Sequence, residues 1–282
     1  MKLRNLDWLN SVWRISTVNP FLLNYEINSG KIKERHVAPF PADLPFRLIS
    51  LFSKEADIVL DPFCGSGSTN IASLSLFRKT IGYDLESKYI ESAKERCGKK
   101  ALFYCKSSEK MLEVESSSVQ LCITSPPYLH LRKYSDNKNN IGNLENPYPC
   151  LAKVFKEVFR VLKPQGYFCL NVADVPKKFK NELTTFPFDL LTICKDIGFT
   201  FKNVIIWDKG ITLKEWNIQN KQLFQNHEYI WVLQKNNCKE VLDKMSNEKQ
   251  KKEKQASFLS SVKIEQLSKQ PIIENTVAKK TM

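Results

Sequence analysis

The sequence is poor in the residues that build metal centres and covalent cross-links. Its 282 residues include only 3 histidines, and the 8 cysteines are scattered without a Cys-x-x-Cys pair. Zinc sites and disulfide frameworks need clustered or regularly spaced ligands, so neither a metal nor a disulfide is predicted. Neither a secretory signal nor a long apolar span is evident, which predicts a reduced, soluble, cytoplasmic protein without membrane contact.

Acidic residues are also in deficit. The chain has 43 Lys and Arg against 30 Asp and Glu, a formal net charge of +13. Such a surplus favours a polyanionic partner over a small acidic metabolite, although small bacterial proteins can be basic without binding nucleic acid. The length suits one α/β domain of enzyme size with appendages.

A glycine-containing corner follows the first strongly apolar run. Its sequence is DPFCGSGST at positions 61–69. Gly65 and Gly67 permit a tight turn and a close approach of ligand to backbone, and Ser68 or Thr69 is expected to cap the following helix. A strand, a glycine corner and a helix N-terminus together predict a nucleotide or cofactor cradle at the carboxyl edge of a parallel sheet. The corner lacks the third glycine of the dinucleotide fingerprint and the Gly-Lys-Ser/Thr of a phosphate loop.

An acidic residue ends the next apolar segment. Thr80 to Tyr83 runs into Asp84, and Lys88 to Cys97 is typical of a helix. An acid at the end of the second strand is where ribose hydroxyls are usually held. Asp84 is equally compatible with capping the helix that follows, so both interpretations stay open.

A diproline corner, Thr124-Ser125-Pro126-Pro127-Tyr128, follows the apolar run Val119 to Ile123. Prolines donate no backbone hydrogen bond and restrain the preceding residue to an extended conformation. The result is a stiff strand end that presents a hydroxyl, backbone carbonyls and an aromatic ring. These groups suit a planar ring that carries an amino group, because they offer both acceptors and a π-face. An ordinary Pro-Pro turn at the end of a buried strand is the structural alternative.

Strands alternate with helices along the chain. Strands are predicted at 56–60, 80–83, 101–105, 119–123, 167–172, 204–207 and 229–233, and helices at 41–53, 70–77, 88–97, 151–162 and 188–197. This alternation predicts an α/β fold with a mainly parallel sheet covered on both faces. The last two strands are expected to form a closing antiparallel hairpin.

The glycine corner and the diproline corner together resemble the amino-methylating DNA methyltransferases that use S-adenosylmethionine. The Ser-Pro-Pro-Tyr branch is usually found in cytosine-N4 enzymes of bacterial restriction–modification systems. Further segments similar to that family are 36–41 with 44–48, 161–167 and 227–230, so the likeness covers most of the chain. The resemblance implies a Rossmann-like methyltransferase fold and S-adenosyl-L-methionine as cofactor.

The resemblance also implies roles for individual residues. Cofactor binding falls to His36, Phe40, Pro41, Asp61, Phe63, Gly65, Gly67 and Asp84, and the catalytic group is Ser125, Pro126, Pro127 and Tyr128. Tyr128 is expected to stack on an extruded base, while Ser125 and the Pro126 carbonyl accept hydrogen bonds from its amino group. DNA phosphates are assigned to Arg132, Lys133, Lys138, Lys209 and Lys214, each of which is individually also explained as a solvated surface charge.

The sequence departs from the family pattern in two places. Ser107 and Ser108 occupy the stretch where relatives often carry an acid that contacts adenine, which leaves that contact to other groups. The cofactor motifs also precede the catalytic motif, the reverse of the order in many Ser-Pro-Pro-Tyr enzymes. We therefore interpret the chain as a circular permutant, because domain termini lie at the surface and often close together. Its regions are 1–35, an amino-terminal extension and remnant of a target-recognition region; 36–234, the catalytic domain; and 235–282, a basic polar tail, flexible or helical.

The resulting hypothesis is methyl transfer to an exocyclic amino nitrogen of double-stranded DNA, with cytosine N4 preferred. The preference depends on Ser125, because relatives that act on adenine more often carry Asp or Asn there. Alternatives are adenine N6, an RNA or protein substrate, and a DNA-binding partner without turnover. Pro149-Cys150 superficially resembles the thiolate motif of carbon-5 enzymes but lies far beyond the strand end, so no covalent intermediate is predicted. A cognate restriction endonuclease is the further partner that the resemblance implies.

Overall fold

The computed structural model describes residues 6–15, 41, 43–128, 140–177, 182–210 and 226–236. Its strands are β1 (Val12–Arg14), β2 (Ile58–Asp61), β3 (Lys79–Asp84), β4 (Leu102–Cys105), β5 (Val119–Thr124), β6 (Leu162–Val172), β7 (Phe199–Asp208) and β8 (His227–Lys235). Its α-helices are α1 (Asp43–Phe52), α2 (Ser68–Ser75), α3 (Ser87–Cys97), α4 (Tyr148–Val161) and α5 (Phe186–Ile197). Short 3-10 turns lie at Leu6–Leu9, Gly98–Lys100 and Ile141–Asn143.

These strands form one mixed sheet in the order β1-β7-β8-β6-β5-β2-β3-β4. Strand β8 runs antiparallel to both β6 and β7, and the other neighbours are parallel. The predicted antiparallel closure by the last two strands is therefore confirmed. Because β2 and β5 are adjacent and parallel, the two sequence motifs at their carboxyl ends meet at one edge of the sheet.

Apolar side chains cover the sheet on both faces. Helices α4 and α5 contribute Phe155 and Phe186 to a core cluster that includes Phe168 of β6. The opposite cluster is built from α1 and α2 against β2, β5 and β7, with Leu44 and Leu48 fully buried. The predicted α/β class, with helices on both faces, is confirmed.

The first strand joins the sheet at its edge. β1 pairs with β7 in parallel, Val12 opposite Ile206, and Trp13 is buried in the second core cluster. This segment, predicted to be part of an extension, is in its described part a strand of the sheet. A recognition role for residues 1–35 stays a prediction. Contacts along the chain divide it into two units, Met1–Asn236 and Asn237–Met282, of which the second lies outside the described residues.

Two predicted connections differ from the structure. The strand predicted at 167–172 begins five residues earlier, at Leu162, and its register against β5 shifts between the pairs Val119–Leu162 and Leu121–Tyr167. β7 begins at Phe199, five residues before the predicted start, because it pairs with β8 over its whole length. Among the described helices, none is long and apolar enough to cross a bilayer.

Candidate active site

The glycine corner turns the chain sharply between β2 and α2. Gly65 and Gly67 have φ angles of 49° and 86°, in the left-handed region that favours glycine. A Cβ atom at Gly67 would lie 3.1 Å from the Cβ of Ala93, so α3 packs closely on the corner. The predicted side-chain cap is wrong: Gly67 itself is the N-cap of α2, and no side chain caps the helix. Thr69 instead donates its hydroxyl hydrogen to Asp61 Oδ2 at 2.7 Å.

Asp61 joins the two motifs beneath the sheet edge. Its Oδ1 accepts the Thr124 hydroxyl at 2.6 Å and the Phe63 backbone N–H at 3.1 Å. The side chain is 1% exposed and does not line the cleft above it. Burial raises the pKa of Asp61 to about 6, although its hydrogen bonds oppose the shift. Asp61, predicted to bind cofactor, therefore links the ends of β2 and β5 from below.

A cleft opens where these strand ends meet. Its empty volume is about 640 Å³, part of it open to solvent. It is lined by residues 62–63 after β2, 84–86 after β3, 106–108 after β4, Ser125 and Pro127 after β5, Tyr89 of α3, and residues 140–141. The cleft thus brings together four of the predicted site residues: Phe63, Asp84, Ser125 and Pro127.

Asp84 braces the glycine corner from the neighbouring strand. Its Oδ2 accepts the Gly65 backbone N–H and its Oδ1 accepts the Glu86 backbone N–H, both at 2.9 Å. Burial raises the pKa of Asp84 above its usual range. The N-cap of α3 is Glu86, so the capping alternative for Asp84 is wrong.

Glu86 is a functional candidate that the sequence analysis missed. It lines the cleft, makes no cap hydrogen bond, and its Oε1 is buried without a hydrogen-bond partner in the part of the chain that the structure describes. A buried acceptor without a donor is unfavourable by about 1–3 kcal/mol, so this oxygen fits a ligand that brings hydroxyl or amino hydrogens. Its sequence signal was its position two residues after the strand-end acid.

Ser107 and Ser108 both line the same cleft, at the end of β4. Ser107 Oγ accepts the Glu109 backbone N–H at 3.2 Å, which holds the loop closed. Neutral hydroxyls therefore face the cleft where an acid was expected from the family pattern.

The diproline corner divides between the cleft and the core. Pro126 is buried and does not line the cleft. The Tyr128 ring packs edge-on against Phe186, with 6.4 Å between ring centroids. The Tyr128 hydroxyl lies 2.6 Å from Ser125 Oγ and donates to Glu228 Oε2 at 3.0 Å. The stacking role of Tyr128 stays a prediction.

Asn171 and Glu228 are further residues that the sequence analysis missed. Asn171 interrupts the apolar run 168–172 near the end of β6, and that position was its only signal. It is 1% exposed and donates through Nδ2 to the Tyr128 hydroxyl at 2.9 Å and to Glu228 Oε2 at 2.6 Å. Lys209 Nζ lies 2.9 Å from Glu228 Oε1. The charge of Lys209 is therefore shared with an internal carboxylate, and its phosphate contact stays a prediction.

Several predicted residues lie outside the described part of the chain: His36, Phe40, Arg132, Lys133, Lys138 and Lys214. Pro41 is described, is buried, and its carbonyl accepts the Leu44 N–H at the start of α1. Cys150 lies on α4, where burial raises the pKa of its thiol and Glu109 adds to that effect. A protonated thiol is a poor nucleophile, in line with the interpretation above. In the described ranges no three His, Cys, Asp or Glu side chains are grouped to hold a metal.

The sheet order and the paired strand-end motifs define the class as a methyltransferase. A methyltransferase-domain family model matches residues 60–170. The DNA methylase family model (N6_N4_Mtase) matches residues 2–95 and 119–280, so the chain belongs to that family. The predicted amino-methylating DNA methyltransferase family and its cofactor, S-adenosyl-L-methionine, are confirmed.

Curated relatives match over shorter stretches. The chain is 37% identical to the type II methyltransferase M.MjaI of Methanocaldococcus jannaschii over 91 residues, which is 32% of this chain and 27% of that protein. It is 40% identical to M.HpaI of Haemophilus parainfluenzae over 87 residues, 31% and 25% of the two chains. M.BglI of Bacillus subtilis is 48% identical over 65 residues, 23% and 19%. The matches thus span about a quarter of these relatives or less.

Solved structures resemble the fold. A TehB-like SAM-dependent methyltransferase from Corynebacterium glutamicum aligns with a TM-score of 0.47 at 14% identity, covering 77% of this chain and 96% of that one.

Proposed function

We propose that this protein transfers a methyl group from S-adenosylmethionine to the exocyclic amino nitrogen of a base in double-stranded DNA, with cytosine N4 as the preferred acceptor. The observation that carries the proposal is the shared cleft, in which Phe63 and Asp84 of the glycine-corner side face Ser125 and Pro127 of the diproline side. Two adjacent parallel strand ends bring a cofactor cradle and an amino-group acceptor to one cleft.

The cofactor side of the cleft suits a nucleoside. Asp84 and the unpartnered Glu86 Oε1 offer acceptors for hydroxyl and amino hydrogens, and Phe63 offers an apolar face. The glycine corner lets a ligand approach the backbone, because no side chain projects there. When bound, S-adenosylmethionine supplies the methyl group as an electrophile. We assign binding of that cofactor to Phe63, Asp84 and Glu86, with Asp61, Gly65 and Gly67 shaping the corner.

The base side of the cleft suits an amino group. Ser125 Oγ offers a hydroxyl oxygen, and the diproline backbone offers carbonyls without competing N–H donors. An acceptor inside a duplex must first leave the stack, which costs a few kcal/mol, and the aromatic ring of Tyr128 would offset part of that cost by stacking. No covalent intermediate is needed, so the chain chiefly aligns the reactants.

The preference for cytosine N4 depends on the hydroxyl at Ser125. Both cytosine and adenine present an amino group beside a ring nitrogen, so adenine N6 is the second candidate acceptor. The same hypothesis includes three further predictions. They are a cytoplasmic location, a cognate restriction endonuclease as partner, and phosphate contacts by Arg132, Lys133, Lys138 and Lys214.

We further propose that the domain is circularly permuted. β1, near the start of the chain, pairs with β7, near the end of the described domain, with Val12 opposite Ile206. Strands from the first and last parts of the described domain thus lie side by side, which is the geometry that permutation requires.

Methylation of defined DNA tests the activity. The full chain is incubated with duplex DNA and methyl-labelled S-adenosylmethionine, and the digested nucleosides are separated by mass. N4-methylcytosine is the expected product, and Ser125→Ala, which keeps the fold but removes the hydroxyl, is expected to slow its formation. N6-methyladenine would reassign the base. Label found only in RNA or protein, or calorimetric binding of cofactor and DNA without any label transfer, would contradict the proposal.

A further inference from the structure

A connected chain of polar side chains leads from the cleft into the sheet. Ser125 Oγ lies 2.6 Å from the Tyr128 hydroxyl, which lies 3.0 Å from Glu228 Oε2. Asn171 Nδ2 contacts the same three groups, at 3.3, 2.9 and 2.6 Å. Lys209 Nζ holds the other carboxylate oxygen of Glu228 at 2.9 Å. This series of hydrogen-bonded side chains begins with Ser125 at the cleft and ends at the Glu228 carboxylate.

The Glu228 carboxylate sets the direction of the hydrogen bonds between Ser125, Tyr128 and Glu228. An ionised carboxylate only accepts, so Tyr128 is the donor in its contact with Glu228 Oε2 at 3.0 Å; the Asn171 backbone oxygen is a more distant second acceptor of the same hydroxyl, at 3.3 Å. The Tyr128 oxygen is then an acceptor, and the Ser125 hydroxyl donates to it. With its hydrogen committed to Tyr128, Ser125 Oγ keeps a lone pair for a donor in the cleft. Asn171 Nδ2 can only donate, so it reinforces this direction.

We propose that Glu228 takes up the proton that the substrate amino group loses during methylation, through the hydroxyls of Ser125 and Tyr128. This inference rests on the proposed amino-methyltransferase function. As the nitrogen forms its bond to the methyl carbon, one N–H proton passes to Ser125 Oγ, the Ser125 hydroxyl proton passes to Tyr128, and the Tyr128 hydroxyl proton passes to Glu228. The electron pair of the broken N–H bond stays on nitrogen and offsets the charge created by the new bond. Both hydroxyls are restored, and Glu228 ends as a neutral acid.

The surroundings of Glu228 suit its proposed role as the proton acceptor. Its side chain is 13% exposed, enough for the proton to reach solvent after the reaction, whereas Asn171 behind it is 1% exposed. Lys209 stabilises the carboxylate before the reaction and contacts Oε1, which leaves Oε2 to accept from Tyr128 and Asn171. The sequence places no acid at the diproline corner itself, so the acceptor must come from another strand, and β8 supplies it.

Single-turnover methylation of duplex DNA in H2O and D2O tests the relay. The wild-type rate is expected to fall in D2O with a curved proton inventory, because more than one proton moves. Glu228→Gln keeps the hydrogen bonds but cannot take a proton, so the rate is expected to fall about 10²-fold and the curvature to vanish. Glu228→Asp is expected to restore much of the rate and the curvature. Tyr128→Phe, which keeps the ring but breaks the relay, is expected to behave like Glu228→Gln.

Glu113 provides a matched control. It accepts the Tyr83 hydroxyl at 3.0 Å and pairs with Lys106, the same three residue types, but among the described residues no serine hydroxyl is bonded to that tyrosine. Glu113→Gln should leave the proton inventory unchanged. Calorimetric affinity for S-adenosylmethionine should be the same in wild type and Glu228→Gln.

Nuclear magnetic resonance separates this proposal from the proposed function. With ¹³Cζ-labelled tyrosine, the Tyr128 resonance, assigned through Tyr128→Phe, should move in Glu228→Gln, whether or not the enzyme turns over. If the wild-type protein is inactive, both the proposed function and the relay are overturned. The resonance still reports whether Tyr128 contacts Glu228. An active wild type whose rate or proton inventory is unchanged in both Glu228→Gln and Tyr128→Phe would overturn the relay alone. If Glu228→Gln fails to fold, Tyr128→Phe decides.

Discussion

Replacing Asp61 with Asn is expected to remove a large pH dependence of stability. Asp61 is fully buried beneath the junction of β2 and β5, and its folded-state pKa is raised from 3.8 to about 6. Between these two values the folded chain holds a proton on Asp61 that the unfolded chain has released. The free energy of unfolding therefore decreases as pH rises through this window and is flat above it.

The size of the effect follows from the shift. About two pKa units at 1.36 kcal/mol each give about 3 kcal/mol, present below pH 4 and lost by pH 7. The amide introduced by Asp61→Asn would carry no charge, and its oxygen can still accept the Thr124 hydroxyl and the Phe63 N–H. The Thr69 hydroxyl can reverse and accept from the new amide nitrogen, since a hydroxyl both donates and accepts. The variant should therefore be at least as stable as wild type near pH 7.

Urea unfolding of both proteins from pH 4 to pH 8 measures this difference. Acids that are not coupled to Asp61 contribute equally to both curves, so the wild-type value minus the Asp61→Asn value reports Asp61 and its coupling to Asp84. That difference should fall by about 3 kcal/mol between pH 4 and pH 7. Asp61→Ala is the contrasting variant, because it leaves two buried hydroxyls and one N–H without their acceptor. A difference curve that stays flat across this range would refute the reasoning.

Three further changes have definite expected outcomes. Gly67→Ala forces a side chain into a left-handed conformation 3.1 Å from Ala93 and should destabilise the fold by about 2 kcal/mol and weaken cofactor binding, measured by thermal unfolding and calorimetry; unchanged values would contradict the tight corner. Asn171→Asp places a second carboxylate where Nδ2 now lies 2.6 Å from Glu228, so the two carboxylates must share a proton. In urea titrations the free energy of unfolding should be retained at pH 5 and should be lower by about 3 kcal/mol at pH 8. Tyr128→Ala should abolish methylation of DNA while calorimetric cofactor affinity stays near the wild-type value, and strong residual turnover would count against base stacking.

The sequence predicted the elements whose signals are local. Apolar runs ending in a glycine or diproline corner located β2 and β5, and the alternation of strands and helices indicated a sheet covered on both faces. That the two corners meet in one cleft followed from parallel strands sharing a carboxyl edge. The fold class and the family were therefore within reach of the sequence.

Contacts between distant strands were not within reach. Thr124 meets Asp61 across 63 positions, and Glu228 meets Tyr128 across 100, so no spacing rule connects them. Thr69 was expected to cap its helix, but a buried carboxylate competes for its hydroxyl more strongly than an exposed helix end does. Glu86 resembles an ordinary helix-start acid until the structure shows its oxygen buried.

The position of β8 has a consequence for how the chain folds on the ribosome. β1 and β7 are 194 positions apart, as the Arg14–Asp208 contact shows, and this pair joins the rest of the sheet only through β8. At about 5–20 residues per second, Trp13 emerges roughly ten seconds or more before its partner strand exists. The outer sheet can close only when residues 227–235 leave the exit tunnel. Until then the nascent domain exposes an unpaired tryptophan strand, the kind of surface to which chaperones bind.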